Sequence, residues 1–134
     1  GFDQVMAESF PEIEVLPSLE NHDDEDITAR VVSEVLDARP DLTGVYSVGH
    51  GSRALVEVLR AHHRARQLTI VAHELTSVTR EALRSGDIDA VVSQDVGHIV
   101  RSALRILRAK IDGVGIVPGQ ERIRIEIVVR ENLS

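Results

Sequence analysis

The stretch LTIVAHELTSVTREALRSGDIDAVVSQD, residues 68–95, decides the fold. It opens on a short apolar run, residues 68–72, which reads as a buried strand. Thr76 or Ser77 can cap the helix that follows, and Gly86 is well placed to stop it. Ala90, Val91 and Val92 then form a second strand. Two strands separated by a single helix make a βαβ unit, which requires a parallel sheet with helices packed on it.

The alternation continues outward in both directions. Upstream, residues 45–48 read as a strand, and Gly49-His50-Gly51-Ser52 opens a helix to about residue 66 with Leu55, Val58 and Leu59 inward. Before it, Ile27, Val31, Val32, Val35 and Leu36 share one face of a helix that ends before Pro40. Residues 13–16 read as a short strand closed by Pro17, and Phe2, Val5, Met6 and Phe10 as the tail of a helix stopping before Pro11. Downstream, Val96, Val100, Ala103, Leu104, Leu107 and Ile111 recur at helical spacing in the longest helix, about residues 95–110. Ile123, Ile125 and Ile127 alternate with charged residues, the pattern of a half-exposed strand. The prediction is an α/β fold: a three-layer, doubly wound, mostly parallel sheet.

Composition narrows the function. At 134 residues the chain is one domain by length. Aromatic residues make up 2% of it, so the core is built from Val, Ile, Leu and Ala. A net charge of -7 argues against this chain gripping nucleic acid by itself, because phosphate binding needs a basic face. With no cysteine there is neither a disulfide nor a thiolate metal site. No apolar run approaches the roughly 18 residues of a membrane span, so no membrane contact is expected. The first residues, Gly1-Phe2-Asp3, already read as helix, and the chain is taken as a fragment.

Right-handed crossovers bring the carboxyl ends of the strands to one edge, where ligands bind in such sheets. Four strand-to-helix junctions fall there: Pro17-Ser18, residues 49–53, residues 73–76, and Gln94-Asp95. Gly49-His50-Gly51-Ser52-Arg53-Ala54 is a G-x-G-x-x-A string, with Glu74 about twenty residues on, as in a dinucleotide-binding fingerprint. It reads equally as a glycine-rich turn opening a helix, or as a loop that contacts a ligand. Glu74 can accept hydrogen bonds from vicinal hydroxyls, the chemistry of sugar recognition, or can simply favour the start of the next helix. A zinc protease would need a second His at position 77, where the chain has Ser77. Gln94 offers a polyol both donor and acceptor, while Asp95 looks like an N-cap. His22, His62, His63 and His98 lack ligand spacing, so no metal is expected. Ser52 lacks a G-x-S-x-G frame, and the acidic residues 22–26 read as a solvated turn and helix start.

Read in order, residues 39–46, 49–53, 71–76, 86–95 and 130–133 resemble the carboxy-terminal lobe of effector domains in the lac-repressor (LacI) family of transcription regulators. Those domains share the periplasmic sugar-binding fold. The resemblance implies that residues 1–134 form a single effector-binding lobe of the type I periplasmic-binding-protein-like kind. It implies contacts to a small-molecule effector, a sugar, from Gly49, His50, Ser52, Arg53, Glu74 and Gln94. It further implies no catalysis, no cofactor, a cytoplasmic location, and DNA contact only through a headpiece outside this chain. Many relatives carry Asp where this chain has Glu74, and Asn-Asp near its Gly49-His50. In this family a helix corresponding to residues 95–113 packs on an amino-terminal lobe, and residues 122–131 form the returning strand. The apolar face of Val96, Val100, Ala103, Leu104 and Leu107 then needs a partner, and a homodimer is expected. Two alternatives stay open: a sugar solute-binding protein of a transporter, and a dinucleotide-dependent oxidoreductase fragment built on Gly49, Gly51, Ala54 and Glu74.

Overall fold

Three helices start where a side-chain oxygen takes an orphan N–H: Asp24 accepts from Ile27, Thr76 from Thr79, and Asp95 from His98. In the computed structural model, which describes residues 1–133, these are α2 (Glu25–Ala38), α4 (Ser77–Ser85) and α5 (Val96–Asp112). The remaining elements are α1 (Phe2–Ser9), β1 (Gly44–Ser47), α3 (Ser52–Ala61), β2 (Thr69–His73), β3 (Ala90–Gln94), α6 (Pro118–Glu121) and β4 (Ile125–Val129).

The sheet runs β1-β2-β3-β4; the first three strands are parallel and β4 is antiparallel to β3. One face carries Val45, Ile70, Ala72, Val91 and Val128, all in the core cluster or packed against it. Leu36 of α2, Leu55, Val56 and Leu59 of α3, and Ala82 and Leu83 of α4 complete that core, so α2, α3 and α4 form one layer on this face. The other layer is thin. On this side Phe2 of α1 stacks on Tyr46 at 4.4 Å, within 11° of parallel. The result is a mostly parallel α/β sheet with helices packed on it.

Several expectations are corrected. Residues 13–16 join no ladder of the sheet among the described residues; they lie between two prolines, with Ile13 and Val15 exposed. Helix α3 stops at Ala61 rather than near residue 66, because His63 takes a positive φ of 53° and the Arg64 N–H returns to the Leu59 carbonyl. In β4 the inward residue is Val128, while Ile125 and Ile127 face outward. Register explains this: Val128 pairs with Val91 in the core, and Ile127 with Val92 on the opposite face. Among the described residues no helix is long and apolar enough to cross a membrane.

Candidate functional site

Parallel register brings Ser47, His73 and Gln94 to one edge, since Ser47 pairs with Ala72 and His73 with Val92, and β3 runs on to Gln94. The ends of these strands, and the turns and helix starts after them, carry the six ligand contacts expected from the sequence; the Pro17-Ser18 junction follows no strand. Gly49 and His50 lie in the β1–α3 turn with Ser52 and Arg53 opening α3, Glu74 follows β2, and Gln94 ends β3. His50, Arg53, Glu74 and Gln94 are exposed. Arg53 also lines a groove between α3 and α4 with Glu57, Arg60 and Glu81. A concavity of about 420 Å³ sits beside Gln94, lined by Ser93, Asp95, Arg124, Ile125 and Glu126.

The β1–α3 turn needs its glycines. Gly49 and Gly51 have φ of 89° and 110°, and a Cβ on Gly51 would come within 2.5 Å of the Thr28 hydroxyl. What presses on the turn is the start of α2. The Asn21 amide donates to the His50 carbonyl at 2.7 Å and to the Thr28 hydroxyl at 2.8 Å. Asp23 accepts the His50 N–H at 2.9 Å. Glu25 accepts the Ala54 N–H at 2.7 Å and lies 3.5 Å from the His50 ring. The acidic run is therefore a brace for the β1–α3 turn, not only a solvated helix start. Asn21, Asp23 and Glu25 are the site residues that the sequence reading missed.

This brace also bears on the fingerprint. A pyrophosphate in a G-x-G-x-x-A turn rests on the free N–H groups of the following helix. Here Gly51 offers no side-chain cap, and the Glu25 carboxylate occupies the Ala54 N–H instead. A pyrophosphate that used the Ala54 N–H would have to displace that carboxylate.

Glu74 holds a positive φ of 66°, uncommon for a residue with a side chain. Its N–H donates to the Val92 carbonyl at 3.0 Å, and its carbonyl accepts from the fully buried Thr79 hydroxyl at 2.8 Å. Thr76 and Thr79 complete a reciprocal capping box beneath it. The carboxylate is thus carried at the exposed edge on a locked backbone. Beside it the Tyr46 hydroxyl meets His73 Nε2 at 2.7 Å. By register Tyr46, His73 and Gln94 share the sheet face opposite the core, a grouping that needs strand pairing to be seen. Among the described residues no cluster of three or more His, Asp or Glu could hold a metal ion.

An open α/β lobe with polar groups ranged along its carboxyl edge has the form of half a ligand cleft. The chain belongs to the periplasmic binding protein domain family, whose pattern matches residues 1–114. It is similar in fold to a glucose-galactose binding protein from Geobacillus stearothermophilus (17% identity, TM-score 0.84), covering 94% of this chain and 45% of that one. An Agrobacterium vitis transporter solute-binding protein with bound α-D-tagatopyranose gives 22% identity and a TM-score of 0.85, covering 99% and 44%. A Burkholderia graminis solute-binding protein in complex with D-arabinose gives 25% and 0.82, covering 98% and 47%. The chain thus spans about half the length of these proteins. No curated protein matches it in sequence.

Proposed function

We propose that this chain is a non-catalytic sugar-binding lobe, and that the protein carrying it is a LacI-type transcription regulator in which the sugar is the effector. Glu74 carries the sugar-binding part: a carboxylate fixed at the edge on left-handed backbone suits bidentate acceptance from vicinal hydroxyls. Gln94 adds a donor and an acceptor from the next strand end, and His50, Ser52 and Arg53 flank them. The solved relatives support a sugar ligand, since the Geobacillus, Agrobacterium and Burkholderia proteins are sugar-binding proteins. The regulator part rests on the ordered resemblance of residues 39–46, 49–53, 71–76, 86–95 and 130–133. It carries with it a cytoplasmic location, a homodimer, DNA contact through a headpiece outside this chain, and a second lobe against α5.

The transporter names of those relatives favour a second reading, a solute-binding protein with the same site. One experiment on the complete protein separates the two. Thermal shifts against a sugar panel identify the ligand, and capture of genomic DNA fragments with and without that sugar tests regulation. Specific fragments released or retained by the sugar support the regulator. Sugar binding with no DNA captured in either state supports the transporter. A shift surviving both Glu74→Ala and Gln94→Ala removes the proposed site.

A further inference from the structure

We infer that the site selects uncharged polyhydroxylated ligands and rejects their phosphorylated counterparts, with Glu25 as the residue that sets this discrimination. The inference rests on the sugar-binding reading and names the class within it.

A helix amino terminus at a strand-to-helix junction is the usual rest for a phosphate, because its N–H groups are free and its dipole is positive. Three helices begin along this edge, and at each of them one of the chain's own side-chain oxygens holds an N–H of the first turn. On α3 the Glu25 carboxylate takes the Ala54 N–H. On α4 the Thr76 hydroxyl takes the Thr79 N–H. On α5 the Asp95 carboxylate takes the His98 N–H. In the β1–α3 turn the His50 N–H, another donor an anion could use, is held by Asp23.

The charge balance points the same way. Asp23, Glu25, Glu74 and Asp95 all lie at or against this edge, with Asp24 and Asp26 beside Glu25. The nearby cationic side chain on α3, Arg53, shares its groove with the carboxylates Glu57 and Glu81. A phosphate would enter an edge where carboxylates outnumber the cations Arg53 and Arg124, and would find a first-turn donor of each helix already held. A neutral polyol needs none of them, since its hydroxyls can donate to Glu74 and exchange hydrogen bonds with Gln94.

Isothermal titration of the complete protein with matched pairs tests this: D-arabinose against D-arabinose 5-phosphate, and D-galactose against D-galactose 6-phosphate. At low salt the free sugar of the binding pair should be at least about 100-fold tighter, and the ratio should shrink as salt rises. Glu25→Gln keeps an amide oxygen for Ala54 but loses the charge, and should cut the ratio at least about tenfold. Glu34→Gln, an exposed carboxylate further along α2, should leave the ratio alone. A phosphate binding as tightly as its free sugar overturns the inference and leaves the sugar-binding reading intact. A ratio unmoved by Glu25→Gln overturns the role of Glu25. If that variant does not fold, the wild-type pairs still decide the selectivity. Failure of every member of both pairs to bind counts against the sugar-binding reading and takes the inference with it.

Discussion

At Gly51 two demands coincide, a left-handed φ of 110° and a missing Cβ where the Thr28 hydroxyl and the Asn21 amide crowd in. Gly51→Ala should therefore cost roughly 2–5 kcal/mol, the sum of a left-handed backbone penalty and overpacking. Urea unfolding measures it; a loss under about 1 kcal/mol would mean that α2 moves away freely. Glu74 is the opposite case, a side chain kept where glycine would sit more easily. Glu74→Gly relieves about 1–2 kcal/mol of left-handed strain and adds about 0.5–1 kcal/mol of chain entropy, so stability should hardly fall. Sugar affinity should drop at least about tenfold by titration, and an unchanged affinity would remove Glu74 from the site. The glycines and Glu74 were legible in the sequence because turn chemistry is local. The brace from Asn21, Asp23 and Glu25 was not, because its partners lie 27 to 29 residues away. A surplus was visible, however: four consecutive acids, Asp23 to Asp26, are more than one N-cap requires.

Between elements, two charge pairs tie helices to segments further along the chain. Arg60 of α3 donates to Asp87 in the α4–β3 connection, with Nε at 3.0 Å, and Ser85 also donates to that carboxylate. The Arg60 guanidinium, with Ser85 adding to it, holds the Asp87 carboxyl below its usual range despite burial. A depressed carboxyl stabilises the fold above its unfolded value, near 4, and loses that contribution as pH falls through the folded value. Asp87→Asn should cost about 1–2 kcal/mol at neutral pH, the Arg60 side being open to solvent. That gap should close in denaturant titrations as pH is lowered through the depressed value of the folded carboxyl. Arg105 of α5 and Glu121 of α6 make the second pair, at 2.8 and 2.9 Å, with the Glu121 carboxyl lowered to about 2 by Arg105 and then Ser102. Hydrogen exchange in α6 should rise above its intrinsic pH dependence as pH falls from 4.5 towards 2, and Glu121→Gln should abolish that extra rise. Elements of this kind are read from sequence by periodicity, which gave the βαβ order correctly. Periodicity gives two faces for a strand without saying which is inward, so Val128 was hidden among the isoleucines of β4. It also promoted residues 13–16 to a strand, because alternation says nothing of whether a sheet edge is there to receive it.

For the molecule as a whole, burial is one-sided. The core lies under α2, α3 and α4, while α5 buries only Ser102. Val96, Val100, Leu104, Leu107 and Ile111 stand 53–83% exposed along α5, and Val114 and Val117 after it are exposed as well. A contiguous apolar surface of this kind draws a partner, because removing it from water gains about 25 cal/mol per Å². In the proposed regulator the second lobe supplies that cover. The 134-residue chain taken alone should cover the stripe with a second copy of itself, in an isologous pairing across α5. Sedimentation velocity over a concentration series should then show a monomer–dimer equilibrium. Replacing Leu104 and Leu107 together by Lys should return a monomer whose thermal unfolding is unchanged at low concentration, since both side chains lie outside the core. A monodisperse monomer at the highest concentration would mean that the stripe is not self-complementary. Dimerisation that survives the double replacement would move the contact to the outward Ile125 and Ile127 of β4, where an edge strand offers unpaired backbone as well as apolar surface.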